Sequence, residues 1–146
     1  MPWKELIQRL TNEGEFASSA SVDQLARAES SLGVKLPAAL RELLDETNGV
    51  EGEYGLGLVW PLEQIVEDNL MFRSNASFCD IYMPFDHLLF FADAGNGDQF
   101  AFPIHADGVI HRPDVFAWDH EDDSRSWVAS SLKDYLEGWL TGRIKL

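Results

Sequence analysis

The sequence contains a single cysteine, Cys79, so one chain cannot form an internal disulfide. This agrees with a reducing compartment, and we expect the Cys79 side chain to be a small buried apolar group rather than a nucleophile. No apolar stretch approaches the roughly 18 residues that span a bilayer, and the N-terminal residues lack the regions of a signal peptide. We therefore expect a soluble, cytoplasmic protein with no membrane contact.

Basic residues are nearly absent from the middle of the chain. Residues 42–111 contain thirteen acidic residues and one base, Arg73, for a net charge of −12, and the whole chain carries −14. Such a surface repels the phosphate backbone of nucleic acids and attracts a basic protein. We therefore predict no direct nucleic-acid binding and a basic protein partner; the alternative is that the charge serves solubility alone.

The remaining composition is that of a folded chain. It has 146 residues, of which 45 % are hydrophobic and 12 % aromatic. A chain of this size buries a core without disulfides or metals, and its apolar content argues against disorder. No repeat, low-complexity tract or flexible linker interrupts it, so we predict one domain over residues 1–146.

Apolar residues recur at spacings of three and four through the first half and again near the C-terminus, which is typical of helices with one buried face. Capping and helix-breaking residues set the expected ends: serine before a helix, proline at its first position and glycine after it. The predicted helices cover residues 3–10, 21–33 and 37–48, a segment starting at 61, and residues 128–140.

From about residue 87 the pattern changes to short apolar or alternating runs, which indicate strands. The segment Gly95-Asn96-Gly97-Asp98 has the composition of a tight hairpin, and Asp107-Gly108 ahead of Val109-Ile110 suggests a second one. Sequential hairpins give an antiparallel meander. We predict an α+β fold, a mainly antiparallel β-sheet with helices packed around it, with strands at 58–60, 87–92, 100–104 and 115–118.

Motifs for cofactors and metals are incomplete. Gly95-Asn96-Gly97 lacks the third glycine of a dinucleotide fingerprint, and Asp119, Glu121 and Asp123 are not followed by the glycine and glutamate of a calcium loop. The histidines lack the spacing of a zinc site, although strands could bring His105 and His111 together. We predict no cofactor, no metal and no catalytic residue.

Acidic loops between the regular elements are the candidate binding residues. Tyr54 is an aromatic side chain flanked by acids in a glycine-rich loop, which is what a protein-binding rim with one anchor would use. The predicted partner-binding residues are Glu51, Glu53, Tyr54, Asp93, Asp98, Asp119, Glu121, Asp122 and Asp123.

The motifs taken together resemble the Smi/Knr family of the SUKH superfamily over about residues 21–142. The N-terminal half carries the more specific part of the pattern, a glutamate, a Leu-Gly and a Leu-Pro followed by Asn-Gly. The matching positions are Ser21, Leu25, Glu29, Leu32-Gly33, Leu36-Pro37, Leu43-Leu44, Asn48-Gly49, Gly57, Trp60, Phe91, Asp93, Gly97-Asp98, Phe100, Phe102, Val115 to Trp118, Leu136, Trp139 and Leu140.

The resemblance implies an α+β fold without catalysis. Bacterial members of the family resemble immunity proteins that neutralise polymorphic toxins, often nucleases, whereas fungal relatives act as regulatory scaffolds. Our leading hypothesis is an immunity protein that occludes the active site of a basic toxin through its acidic surface. A non-inhibitory scaffold or adaptor is the second hypothesis. A hydrolase using acids near Asp93, Asp98 and Asp119 is the third, and a carboxylate with a raised pKa in a deep pocket would favour it.

Overall fold

The computed structural model describes residues 2–146 and contains helices and antiparallel strands, which confirms the predicted α+β class. The helices are α1 (Trp3–Leu10), α2 (Val22–Leu32), α3 (Ala38–Glu46), α4 (Leu62–Ser74), α5 (Ala76–Cys79) and α6 (Leu132–Leu140). The strands are β1 (Glu15–Phe16), β2 (Val50–Glu51), β3 (Gly57–Val59), β4 (Leu88–Asp93), β5 (Gln99–Pro103), β6 (Val115–Trp118) and β7 (Arg125–Ala129).

The strands form two antiparallel sheets. A small sheet has the order β1-β2-β3, and a larger one is a meander with the order β4-β5-β6-β7. A backbone hydrogen bond of 2.7 Å from Trp60 N–H to the carbonyl of Phe91 ties the end of the small sheet to β4. The predicted meander is confirmed, with β7 as an additional strand. The strand predicted at 58–60 is β3 of the small sheet, whereas β1 and β2 were not predicted.

Local capping explains where the helices begin and end. The Ser21 hydroxyl accepts from Gln24 N–H while the Gln24 side chain accepts from Ser21 N–H, a reciprocal capping box at the start of α2. Gly33 follows that helix with φ +70°, a left-handed conformation in which glycine carries no steric cost. The helices predicted near residues 3–10, 21–33, 37–48 and 61 are confirmed.

The prediction for the last segment is wrong in part. Arg125–Ala129 is strand β7 rather than the start of a helix, and α6 begins only at Leu132 with the Ser131 hydroxyl accepting from Asp134 N–H. Val128 fits the helical pattern because it lies four residues before Leu132. Residues four apart lie on the same face of a strand as well as of a helix, so this spacing does not distinguish the two.

Two further expectations also require correction. Val109-Ile110 is not a strand: the chain makes a turn in which His105 N–H donates to Val109 C=O, and the β5–β6 ladder includes neither Val109 nor Ile110. Cys79 is exposed rather than buried. Its helix is one turn long and packs against the core through the neighbouring Phe78, which leaves the thiol facing outward.

The core lies on both faces of β4, whose residues are buried along nearly its whole length. On one face Phe90 packs against Phe72 of α4, with ring centroids 4.8 Å apart. On the other face Phe91 packs against Phe102 and the ring of Tyr135 from α6, at 4.5 Å and 5.3 Å. This packing fixes β4, and with it the position of Asp93 at the end of the strand.

The buried side chain of Asn69 closes the outer edge of β4. Its amide nitrogen donates to the carbonyls of Ile65 (2.7 Å) and Phe90 (2.8 Å), and its oxygen accepts from Phe90 N–H (2.8 Å). A helix side chain thereby replaces a neighbouring strand. None of the helices within residues 2–146 has the length and hydropathy needed to cross a bilayer.

Candidate functional site: an acidic cleft

A cleft of about 500 Å³ opens between the small sheet and the start of α4. Four carboxylates line it, and among its lining residues in the described chain there is no lysine, arginine or histidine. We call this the acidic cleft and define it by those carboxylates, which come from β1, β2, α4 and β4: Glu15, Glu51, Glu63 and Asp93.

Two of these carboxylates face each other across the small sheet. Glu15 of β1 and Glu51 of β2 are register partners in an antiparallel pair, and both residues are exposed. Like charges directly opposite on neighbouring strands destabilise the pairing. The fold therefore retains an unfavourable pair at the rim of the cleft.

Asp93 differs from the other cleft carboxylates because it is partly buried. Its Oδ2 accepts from the indole N–H of Trp60 at 2.9 Å, and its Oδ1 lies 3.5 Å from the amide nitrogen of Gln99. Burial raises the pKa of Asp93, and the two hydrogen bonds oppose that rise. A β-carbon at Gly57 would lie 2.8 Å from the Trp60 ring and 3.1 Å from Asp93, so glycine is required for this close approach.

The predicted aromatic anchor is at the tip of the same region. Tyr54 is 98 % exposed and lies in the 3-10 turn Glu53–Gly55, between β2 and β3. Its φ of +60° is left-handed, which a residue with a bulky side chain rarely adopts. The turn is held by a 2.7 Å bond from Gly52 N–H to Leu56 C=O. Glu51 and Gly55 line the cleft, and Glu53 and Tyr54 lie between them in the chain without lining it.

Asp98, one of the predicted partner-binding residues, is largely buried. It is 7 % exposed, and its Oδ1 accepts from the backbone N–H of His120 at 3.1 Å and lies 2.7 Å from His120 Nδ1. This hydrogen bond raises the pKa of His120. The hairpin turn places Asp98 against the β6–β7 loop. Its carboxylate therefore forms hydrogen bonds within the protein.

Most carboxylates of the β6–β7 loop also accept hydrogen bonds within the protein. Asp119 accepts from Glu121 N–H and Asp122 from Ser124 N–H, both as local turn bonds. Asp123 accepts from the Trp118 indole at 2.8 Å, from Met83 N–H and from Arg125. Burial opposes the ionisation of Asp123, but these bonds hold its pKa below the usual value. The β6–β7 loop does not line the acidic cleft.

Two groups of side chains resemble metal sites. Ligand atoms of Asp98, Asp119 and His120 lie within 4.8 Å of one another, but the His120 nitrogen is already bonded to Asp98. The rings of His105 and His111 lie 5.0 Å apart, but a turn brings them together rather than the strands that were expected to do so. The first group is held by hydrogen bonds between two loops, Asp98 to His120, and in the second His111 is bonded to Asp107 of its own loop.

Sequence reasoning missed Glu15 and Glu63. Glu15 lies in a two-residue strand that carries no detectable pattern, and Glu63 follows Pro61 in a helix whose other face is buried. Their approach to Glu51 and Asp93 depends on long-range pairing, which no local spacing reveals.

A family model described as SUKH_6, SMI1-KNR4 cell-wall, matches residues 22–136 and therefore most of the sequence. The chain belongs to the SMI1-KNR4 cell-wall family. The match includes β2, β3, α4 and β4, which supply three of the four carboxylates of the acidic cleft. Only Glu15 lies before the matched region. The family resemblance inferred from the motifs is thereby confirmed.

A solved structure of similar fold supports the α+β architecture. It is an uncharacterized protein from Salmonella enterica subsp. enterica serovar typhimurium, 14 % identical to this chain, with a TM-score of 0.55. The alignment covers 97 % of this chain and 78 % of that one. At this identity the likeness concerns the fold alone. No curated protein matches the sequence.

Proposed function

We propose that this member of the SMI1-KNR4 family is an immunity protein that binds a basic toxin domain through the acidic cleft and occludes its active site. Membership of the family is consistent with such a role. The observation that carries the proposal is a concave surface of four carboxylates with no cation among its lining residues in the described chain.

The energetics of the cleft favour a cationic ligand. Glu15 and Glu51 repel each other in the free protein, and burial of Asp93 opposes its negative charge. A lysine or arginine side chain from a partner would relieve both effects at once, because an opposite charge stabilises the ionised form of each carboxylate. Binding of a cationic side chain would therefore offset the unfavourable electrostatic interactions of these carboxylates in the free protein.

Tyr54 and Glu53 serve in this proposal as the rim. Tyr54 offers a nearly complete aromatic surface to a partner, and its turn is fixed by backbone bonds, so ordering it on binding costs little entropy. Asp119, Glu121 and Asp122 form a second acidic loop for longer-range attraction. Asp98 and Asp123 shape their loops rather than contact the partner.

Co-expression with a candidate toxin domain, such as the product of a toxin-like gene found next to this one, tests inhibition. The wild-type chain is expected to restore growth, whereas the double charge reversal E15K/E51K is expected to lose protection. The matched control E5K/E13K makes the same charge change at exposed acids outside the cleft. A stable complex in which the toxin stays active would instead support the scaffold alternative.

Asp93 favours one other function, carboxylate-dependent hydrolysis, because its pKa is raised within a cleft. The Asp93→Asn variant separates the two. Under the binding proposal, Asp93→Asn weakens association with the toxin, and neither the wild type nor the variant turns over a substrate. Turnover of a glycoside or ester substrate by the wild type, abolished in Asp93→Asn, would support the hydrolase instead.

A further inference from the structure

The two edges of the four-stranded sheet differ. On the β4 side, Asn69 and the N–H of Trp60 bond to the strand and close it. On the other side, β7 pairs with β6 alone, and within residues 2–146 no group bonds to the outer backbone edge of Ser126–Ala129. An unpaired edge of this kind is a template for another strand.

Proteins usually protect such edges with lysine, proline or inward-pointing charge. Residues 126–129 have none of these. Trp127 instead presents an exposed indole, 55 % accessible, whose N–H is fixed by a 2.8 Å bond to Asp114 on the loop before β6. A large aromatic side chain held at one orientation beside an open edge is a suitable anchor for a bound segment.

A groove of about 560 Å³ accompanies this edge, between β7 and the residues that follow α6. It contains the bases Arg143 and Lys145 and one acid, Asp134. Neither base forms a salt bridge within the described residues, although Arg143 donates to the backbone carbonyl of Asp134 at 3.4 Å. The Asp134 carboxylate accepts from the Ser130 hydroxyl. The residues that line this groove therefore carry a net charge of +1, in a chain whose net charge is −14.

We propose that the open edge of β7 binds an extended acidic segment of a partner protein, which adds to the sheet as a fifth strand. Main-chain hydrogen bonds along β7 would supply affinity, and Arg143 and Lys145 would select aspartate or glutamate side chains. None of these residues lines the acidic cleft, so the two sites are independent and of opposite preference.

The charge of the chain argues against a second copy as the occupant. Two molecules of this protein each carry −14, and their repulsion opposes association. A partner whose overall charge is less negative can present an acidic segment to the groove without this repulsion between whole molecules.

The probe for this site is a displayed library of random nine-residue peptides selected on the full chain. Enriched peptides are expected to be rich in aspartate and glutamate and free of proline. One enriched peptide, added to isotopically labelled protein, is expected to shift the amide resonances of residues 125–129 and 143–145.

The variant R143E/K145E is expected to weaken binding of that peptide about tenfold, the loss of two exposed ion pairs. The control R27E/K35E makes the same charge change elsewhere and is expected to bind as the wild type does. The proposal is overturned by the absence of any enriched peptide, by resonance shifts confined to other residues, by equal binding to R143E/K145E, or by a β7-mediated dimer in mass measurements. A failure here leaves the acidic cleft unaffected, because the toxin-binding test uses different residues.

Discussion

At the scale of single residues, an acid's effect depends on what it contacts rather than on its sequence neighbours. Asp98 and Asp123 look like their exposed neighbours in the sequence, yet each holds two separate segments together through hydrogen bonds. Glu51 has no such partner and instead faces Glu15 across the strands. The first kind of acid stabilises the fold, and the second kind remains available for binding.

The ion pair of Asp98 and His120 predicts a specific pH dependence. The folded-state pKa of His120 is raised by Asp98, above the unfolded value of about 6.5, so the pair's contribution is complete below that pH. It is lost as the pH rises through the folded-state pKa. Urea unfolding is therefore expected to show a larger stability gap between wild type and Asp98→Asn at about pH 5.5 than at about pH 8.5.

A His120→Gln background provides the control for that measurement, because the gap between Asp and Asn at position 98 should then be independent of pH. A gap that widens toward alkaline pH would contradict the assignment of the ion pair.

The facing glutamates predict opposite effects on stability and on binding. Glu51→Gln removes the repulsion with Glu15 and is expected to raise the free energy of unfolding by about 0.2–1 kcal/mol at low salt, less at high salt. The same change is expected to weaken toxin binding. Glu53→Gln, which has no cross-strand partner, is the control and should leave stability unchanged. Loss of stability in Glu51→Gln would argue against the repulsive pair.

The same contrast between bonded and unpartnered acids explains which of these residues could be predicted from the sequence. The excess of acid in residues 42–111 was evident from composition. Glu51 and Asp93 line the cleft, and Glu53 and Tyr54 lie in the turn that follows Glu51. The inward position of Asp98 was not predictable, because it depends on contact with a loop 22 residues away.

At the scale of elements, most of the helices were predictable, whereas the two-residue strands were not. The capping box at Ser21 and the glycine at position 33 are local signals that mark α2 at both ends. Strands β1 and β2 have two residues each and form only because distant segments pair. Since the acidic cleft is built on that small sheet, its location could not be inferred from local patterns.

The Asn69 side chain is the element-scale feature with the largest expected effect on stability. Asn69→Ala leaves the buried backbone groups of Phe90 without partners and is expected to lower the free energy of unfolding by about 3 kcal/mol. Denaturant unfolding measures this, together with faster hydrogen exchange of the Phe90 amide. Asn75→Ala removes an exposed cap and serves as control, with an expected loss of about 1 kcal/mol. Equal losses in the two variants would contradict the edge-closing role.

At the scale of the whole molecule, charge is segregated by position. Acids without cationic neighbours collect in the cleft, whereas Arg143 and Lys145 lie in the groove beside β7. This separation gives the protein a directional electrostatic field, and such fields raise association rates by about 10- to 1,000-fold at low ionic strength. The expected partner approaches the cleft with its basic surface and is held by the rim.

The association rate of the toxin domain, measured at about 50 mM and about 500 mM salt, tests this account most directly. The wild type and the E5K/E13K control are expected to associate at least about tenfold faster at the lower salt, and E15K/E51K is expected to lose most of that difference. An association rate that is the same for all three proteins, or insensitive to salt, would contradict recognition through the acidic cleft.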